Sequence, residues 1–143
     1  MSQVPQSTLL LFESYCRRDQ VDGKKIDVRV GEVPVKVEIA STPESQARGY
    51  MGRKEPQDGG GILFVYDKPA PLHFWMKGVA FPLDIIFFDS EMNYLEHQEM
   101  EPTDIKEDSK IPRYSSKSPA RFALEVRNGW CKKHLKPPCK LEI

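Results

Sequence analysis

Ile26-Asp27-Val28-Arg29-Val30-Gly31-Glu32-Val33-Pro34-Val35-Lys36-Val37-Glu38-Ile39 is the stretch that decides the fold class. Ile26, Val28 and Val30 alternate with Asp27 and Arg29, and Val33, Val35, Val37 and Ile39 alternate with Pro34, Lys36 and Glu38. Successive side chains of a strand point to opposite faces, so this period of two turns one set inward and the other to water. Gly31-Glu32 between the runs predicts a two-residue hairpin loop, since glycine at its first place accepts the positive φ of a type II′ turn. Pro34 has no N–H to give to a ladder, which predicts an edge at that point of its strand.

Outward from the hairpin, the next signal is a helix start. Thr42 can cap, Pro43 suits the first helical position, and Glu44 favours the positive end of the helix. Ala47, Tyr50 and Met51 fall on one face, and Gly52 can end the helix beside Arg48 and Arg53. From Gly59-Gly60-Gly61 onward the chain reads as a β-meander. Ile62 to Tyr66 is a buried strand, Leu72, Phe74 and Met76 alternate with His73, Trp75 and Lys77, and Leu83 to Phe88 and Met92 to His97 are two further strands. Residues 101 to 119 hold Pro102, Pro112 and Pro119 and carry no periodicity, so this segment is a long loop of the kind that closes over sites. Phe122, Leu124 and Val126 alternate with Ala123 and Glu125, a helical turn spans Trp130 to Leu135, and Cys139 to Ile143 is a last strand. The expected fold is α+β and mainly antiparallel β. It is a compact barrel-like or sandwich-like sheet of seven to eight strands with one or two short helices.

On the N-terminal side the apolar quartet Leu9 to Phe12 continues into no pattern, and Arg17 to Lys25 is polar. Residues 1–24 are therefore expected to be an arm, and residues 25–143 a single β-rich domain that folds without it. The quartet lacks the preceding positive charge and the length of a secretory signal, and no run is long enough to span a bilayer. Cys16, Cys131 and Cys139 form no C-x-x-C, and an odd count leaves a thiol unpaired in a monomer. That points to the cytoplasm or another reducing compartment, and it leaves a Cys131–Cys139 pair open.

Net charge argues against one function class, while leaving room for a local basic patch. Lys plus Arg and Asp plus Glu stand at 21 each, so no net field draws the chain to nucleic acid. Metal and cofactor sites are not expected: His73, His97 and His134 have no second ligand at metal spacing. The three glycines at 59–61 lack the Lys-Ser/Thr of a phosphate loop, and no serine sits in a nucleophile elbow. Cys131, followed by Lys132, Lys133 and His134, is the best candidate nucleophile, although a thiol on an amphipathic turn accounts for it more simply. The segment Phe74 to Phe87 is the densest. Trp75 and Lys77 share a strand face, and Asp84 follows the turn at Gly78 and Pro82, so Lys77 and Asp84 are expected to pair across a hairpin.

At this segment the chain resembles an uncharacterised family, the domain of unknown function 192, over roughly residues 26 to 143. The likeness rests on Arg48-Gly49-Tyr50-Met51-Gly52-Arg53, Gly61 to Tyr66, Phe74-Trp75-Met76-Lys77 and Phe81 to Phe87. It continues through Tyr114-Ser115-Ser116, Pro119-Ala120 and Ala123-Leu124-Glu125-Val126 to Gly129. The family usually follows the lysine with Asn-Thr, where this chain has Gly78-Val79. Members often carry a signal or lipid anchor, and neither is read here. The resemblance implies a mostly antiparallel β fold and brings no known reaction.

The family motif keeps Arg48, Arg53, Trp75, Lys77, Asp84, Tyr114, Ser116 and Glu125 among its polar and aromatic positions. Cations beside carboxylates and an aromatic wall suit a small anionic or sugar-like ligand. The same residues could form an ion network at the core's edge. The first expectation is thus a binding or interaction module for such a ligand or for a protein partner. Against it stand a small hydrolase-like enzyme with Asp84 or Glu125 as general base, and a structural accessory protein. Arg53, Trp75, Lys77 and Asp84 are expected to border one cleft, with the loop from Glu101 to Pro119 above it.

Overall fold

The computed structural model describes residues 18–143; the Leu9–Phe12 quartet and Cys16 lie outside them. A short helix α1 (Arg18–Val21) leads into β1 (Lys25–Val30) and β2 (Val33–Ala40), followed by α2 (Pro43–Arg48) and β3 (Gly60–Ala70). Then come β4 (His73–Phe74), β5 (Leu83–Phe88), β6 (Tyr94–Met100), a 3-10 turn at Asp108–Lys110 and β7 (Tyr114–Ser115). The chain ends with β8 (Ala120–Arg127), α3 (Trp130–His134) and β9 (Leu141–Glu142). Seven strands form a half-barrel sheet in the order β6-β5-β8-β3-β2-β1-β9, and β4 and β7 form a separate two-stranded ribbon.

The β1–β2 hairpin closes as its alternation demands, with Val30 opposite Val33 and Gly31 at φ 62. Most neighbours are antiparallel, but β2 and β3 run parallel, which requires the crossover that α2 provides. Pro34 lies beyond that parallel pairing, which begins at Lys36 opposite Gly60, so its missing N–H interrupts no ladder with β3. At the start of α2, Thr42 Oγ1 accepts from Ser45 N at 3.2 Å, and Ser45 Oγ accepts from Thr42 N at 3.3 Å. This reciprocal cap fixes where the crossover begins.

Both faces of the central strands are covered, which is why Ile62–Val65 and Ile85–Phe88 read as apolar runs rather than alternations. One face carries Val37, Leu63, Ile86, Leu124, Val126 and Trp130 among its buried residues. The other carries Ile62, Phe64, Phe74, Ile85, Phe87 and Ala123. The β4–β7 ribbon packs on this second face through Phe74, whose ring meets Phe64 edge-on at 5.0 Å. Ser116 clasps the ribbon's base: its N–H donates to Leu72 O and its hydroxyl accepts from Leu72 N, both at 2.9 Å.

Val21 and Asp22, which the sequence reading put in the arm, are docked on the domain. Val21 is buried in the first-face core. Asp22 Oδ1 accepts from Ser45 Oγ at 2.6 Å, Ser41 N at 2.8 Å and Thr42 N at 3.3 Å, securing the mouth of α2. Burial opposes the charge of Asp22, yet these hydrogen bonds hold its carboxyl below the usual carboxylate range. Their contribution is present above pH about 4 and is lost as the pH falls through the lowered native value. A chain starting at Lys25 is expected to be less stable than one starting at Arg18 by about 3 kcal/mol, or roughly 10 °C in melting temperature. Equal melts for the two would show that Val21 and Asp22 contribute nothing.

Candidate functional site

The site lies on the second face of the sheet, and strand parity determines what faces it. Glu125 on β8 sits between Ile62 on β3 and Ile85 on β5, both members of the second-face core. Its carboxyl therefore rises from an apolar surface. Over it runs Gly49, the residue that ends α2, at φ 47. A Cβ there would stand at ordinary contact distance, 3.5 Å from Glu125 Oε1 and 3.6 Å from Phe64, so it is the positive φ rather than lack of space that calls for glycine where the backbone passes the carboxyl. The same segment docks onto the turn after Lys77. Gly52 N donates to Gly78 O at 3.1 Å, and a Cβ on Gly78, at φ 69, would come within 2.5 Å of Met51 Cγ.

These elements enclose a pocket of about 100 Å³. Glu125 forms its floor, Tyr50, Phe64, Tyr66 and Phe74 its walls, and Arg48, His73, Trp75 and Lys77 its rim. Glu125 is only 4% exposed, and among the described residues it has no hydrogen-bond or ion-pair partner. Its oxygens are not sealed in; they open on the cavity. Burial pushes its carboxyl up to about 8, so near neutral pH it is largely the protonated acid, both a donor and an acceptor. The phenols of Tyr50 and Tyr66 are pushed up by burial and then by the nearby Glu125. Neither hydroxyl has a partner among the described residues.

The rim is basic. Lys77 Nζ lies 2.8 Å from Asp108 Oδ1 and 5.2 Å from the centre of the Trp75 ring, and the Arg113 guanidinium stands 4.3 Å from that centre. The loop expected to cover the cleft is thus docked on its rim through Asp108 and Arg113. His73 Nδ1 and Ser115 Oγ are 2.7 Å apart across the ribbon. Arg48 is exposed and has no ion-pair partner among the described residues.

Several expectations need correction. Lys77 does not pair with Asp84, because β4 and β5 form no hairpin: β4 pairs with β7 in the ribbon, and β5 lies in the large sheet. Asp84 is opposite Val126, a first-face residue, so its side chain leaves the sheet on the side away from the pocket. There it accepts from Asn128 Nδ2 at 3.0 Å, Gly129 N at 3.1 Å and Cys131 N at 3.0 Å. It thereby caps α3, whose own cap residue Gly129 has no side chain to do so. With both oxygens occupied, Asp84 is not free to act as a base. Arg53 makes a two-pronged pair with Glu38 at 2.8 and 3.0 Å. It borders an adjoining groove of about 430 Å³ that shares the Tyr50 wall. Arg53, Trp75, Lys77 and Asp84 therefore border no single cleft. Ser116 holds the ribbon, and the Tyr114 hydroxyl accepts from Glu101 N at 3.1 Å. Cys131 is buried, and burial followed by Asp84 pushes its thiol up, which removes it as a nucleophile. Arg48, Trp75, Lys77 and Glu125 are brought together. Tyr50, Tyr66 and His73 were missed; the two tyrosines stood in motif blocks, and only the fold shows that they meet.

A family model described as DUF192, uncharacterised ACR, matches residues 26–143. The fold is similar to the crystal structure of a protein of unknown function from Novosphingobium aromaticivorans DSM 12444, with 27% identity and a TM-score of 0.74, covering 83% of this chain and 85% of that one. It is also similar to a protein from Sinorhizobium meliloti 1021 described as a candidate transcription regulator, with 26% identity and a TM-score of 0.73, covering 85% of this chain and 95% of that one. No curated protein matches. Among the described residues no helix is long and apolar enough to cross a membrane, and no group of three or more His, Cys, Asp or Glu could hold a metal ion.

The raised native value of Glu125 sets a pH dependence. Its contribution to stability is fully present below the unfolded value of about 4.5 and is lost as the pH rises to about 8. The total is on the order of 5 kcal/mol. Glu125→Gln is expected to melt close to the parent at pH 5 and well above it at pH 9; parallel melting curves across that range would refute the buried acid. Asp84→Ala is expected to cost about 3 kcal/mol through the backbone donors it strands. Lys77→Ala should cost under about 1 kcal/mol, because its pair is exposed. A double-mutant cycle between positions 77 and 84 should show no coupling beyond about 0.5 kcal/mol.

Proposed function

This chain belongs to the DUF192 family across residues 26–143, and we propose that it is a small binding module whose ligand, anionic or sugar-like, enters the Glu125 pocket. One observation carries the reading: a carboxyl 4% exposed, open to a cavity and without a partner among the described residues. Buried polar groups in native proteins are almost always satisfied by protein or by water, and with its oxygens open to the cavity Glu125 takes its hydrogen bonds from whatever occupies the pocket. A ligand offering a hydroxyl or an oxygen to Glu125 would satisfy it. Mostly aromatic walls with a few convergent polar groups resemble the lining of a small-molecule site; at about 100 Å³ the cavity takes in one end of a ligand and leaves the rest at the rim, where basic side chains suit an anion.

A second reading, a small enzyme, draws support from the same residue. An acid raised to about 8 is poised for general acid–base work near neutral pH. No activated nucleophile accompanies it among the described residues. A nucleic-acid partner has less support, because 21 basic and 21 acidic residues leave no net attraction to phosphate.

The test is a thermal-shift and calorimetric screen of the full chain and of Glu125→Leu against sugars, sugar acids, sugar phosphates and simple carboxylates. A ligand at 100 times its dissociation constant adds about 2.7 kcal/mol, or roughly 5–10 °C for a domain of this size. Leucine at position 125 should keep the fold and lose the shift. Equal shifts in the parent and Glu125→Leu would put the ligand elsewhere and overturn the reading.

A further inference from the structure

The pocket has two chemically distinct zones, and together they narrow the ligand. The floor zone, taken with the walls next to it, holds the carboxyl of Glu125 and the phenols of Tyr50 and Tyr66, both close enough to feel its charge and none with a partner among the described residues. Each of these groups can donate as well as accept a hydrogen bond when protonated. Such a set matches hydroxyl groups, which do the same, and is a poor home for a bare anion, whose charge would have to be buried. The rim zone is cationic. Arg48 stands at the end of α2 and Lys77 at the turn after the ribbon, both lining the pocket mouth.

Within the Arg48–Arg53 segment only Arg48 is available. Arg53 is occupied by Glu38, whose carboxyl it holds below the usual range, chiefly through their hydrogen bonds. Lys77 is engaged by Asp108, but that pair is exposed, with side chains 41% and 55% accessible. A pair of this kind is worth about 0–1 kcal/mol and can be exchanged at little cost.

From this juxtaposition, and resting on the binding reading above, we propose that the ligand is a polyol carrying one anionic group. Its hydroxyls enter the floor at Glu125, Tyr50 and Tyr66, and its anion stays at the rim between Arg48 and Lys77. A neutral sugar would satisfy the floor and leave the rim unused. A simple inorganic anion would satisfy the rim and leave Glu125 unpaired. A carboxylate and a phosphate ester share the chemistry required at the rim, and the experiment tells them apart.

Titration calorimetry on the full chain would compare glucose, glucuronate, glucose 6-phosphate and inorganic phosphate. At least one charged sugar should bind tenfold or more tighter than both glucose and inorganic phosphate, the gain expected of a charge-assisted contact. The tighter of the two charged sugars identifies the anion. Arg48→Ala should cut the ratio of charged to neutral sugar affinity by about tenfold; Arg48 is exposed and has no ion-pair partner among the described residues, so its loss leaves the core intact. Glu125→Leu should abolish binding of all the sugars, with a cooperative melt showing that it folds. Glucose binding as tightly as both charged sugars, or Arg48→Ala keeping the preference, would overturn this proposal and leave the binding reading standing. Inorganic phosphate binding as tightly as the charged sugars would also overturn it, since the floor would then contribute nothing. No sugar binding, together with no hit in the wider screen, would overturn both.

Discussion

Strand β8 is the constraint on which this molecule turns. It lies between β3 and β5 with both faces covered, so almost every residue on it must be content without water. Ala120 and Phe122 to Val126 are all buried, and along that run only Glu125 is ionisable. Arg121 is buried as well, but its Nε donates to the Tyr66 carbonyl at 2.9 Å. Among the described residues Glu125 has no such relief. Its flanking residues Ile62 and Ile85 offer nothing to bond, and the low polarity that makes those isoleucines favourable is what keeps its proton on. The α2 crossover and the β4–β7 ribbon stand over this acid without bonding to it among the described residues, and the pocket lies between them.

The opposite outcome is seen one register step away. Asp84 belongs to the strand beside β8, is as deeply buried, and points to the other face. There α3 presents backbone N–H groups that would otherwise lack acceptors, and three donors converge on the carboxylate. One acid has become part of the framework and the other is left open to the cavity. Two carboxyls on opposite faces of one sheet cannot act on one substrate, which removes the paired-acid chemistry that their closeness in the sheet might suggest.

What shapes the pocket is brought in from outside the large sheet. The β4–β7 ribbon carries His73 and Phe74 and delivers Trp75 and Lys77 just beyond its end. The α2 crossover, forced by the parallel β2–β3 pair, delivers Arg48, Gly49 and Tyr50. Each contribution rests on a glycine at positive φ: Gly49 against Glu125, and Gly78 against Met51. At Gly78 the close approach of Met51 excludes a Cβ as well, so this turn holds glycine for space and for backbone conformation alike.

The sequence by itself determined the local pieces. Period-two alternation set the β1–β2 hairpin and its faces, the capping residues set the start of α2, which ends at Gly49 rather than at the expected Gly52, and the apolar runs Ile62–Tyr66 and Ile85–Phe88 marked β3 and β5 as buried. Those signals are legible because they arise from neighbours along the chain. It also singled out Arg48, Trp75, Lys77 and Glu125, through motif blocks rather than geometry. Only the tertiary structure decided who meets whom. That β4 leaves the sheet to pair with β7, forty residues on, separates Lys77 from Asp84, and no local pattern encodes that choice because the rest of the loop has none. Face parity then assigned Asp84 to α3 and Glu125 to the pocket. Parity can be counted along one strand, but which face is closed by a helix and which by a ribbon depends on long-range packing. That difference in cover is what makes one buried acid a cap and the other a candidate site.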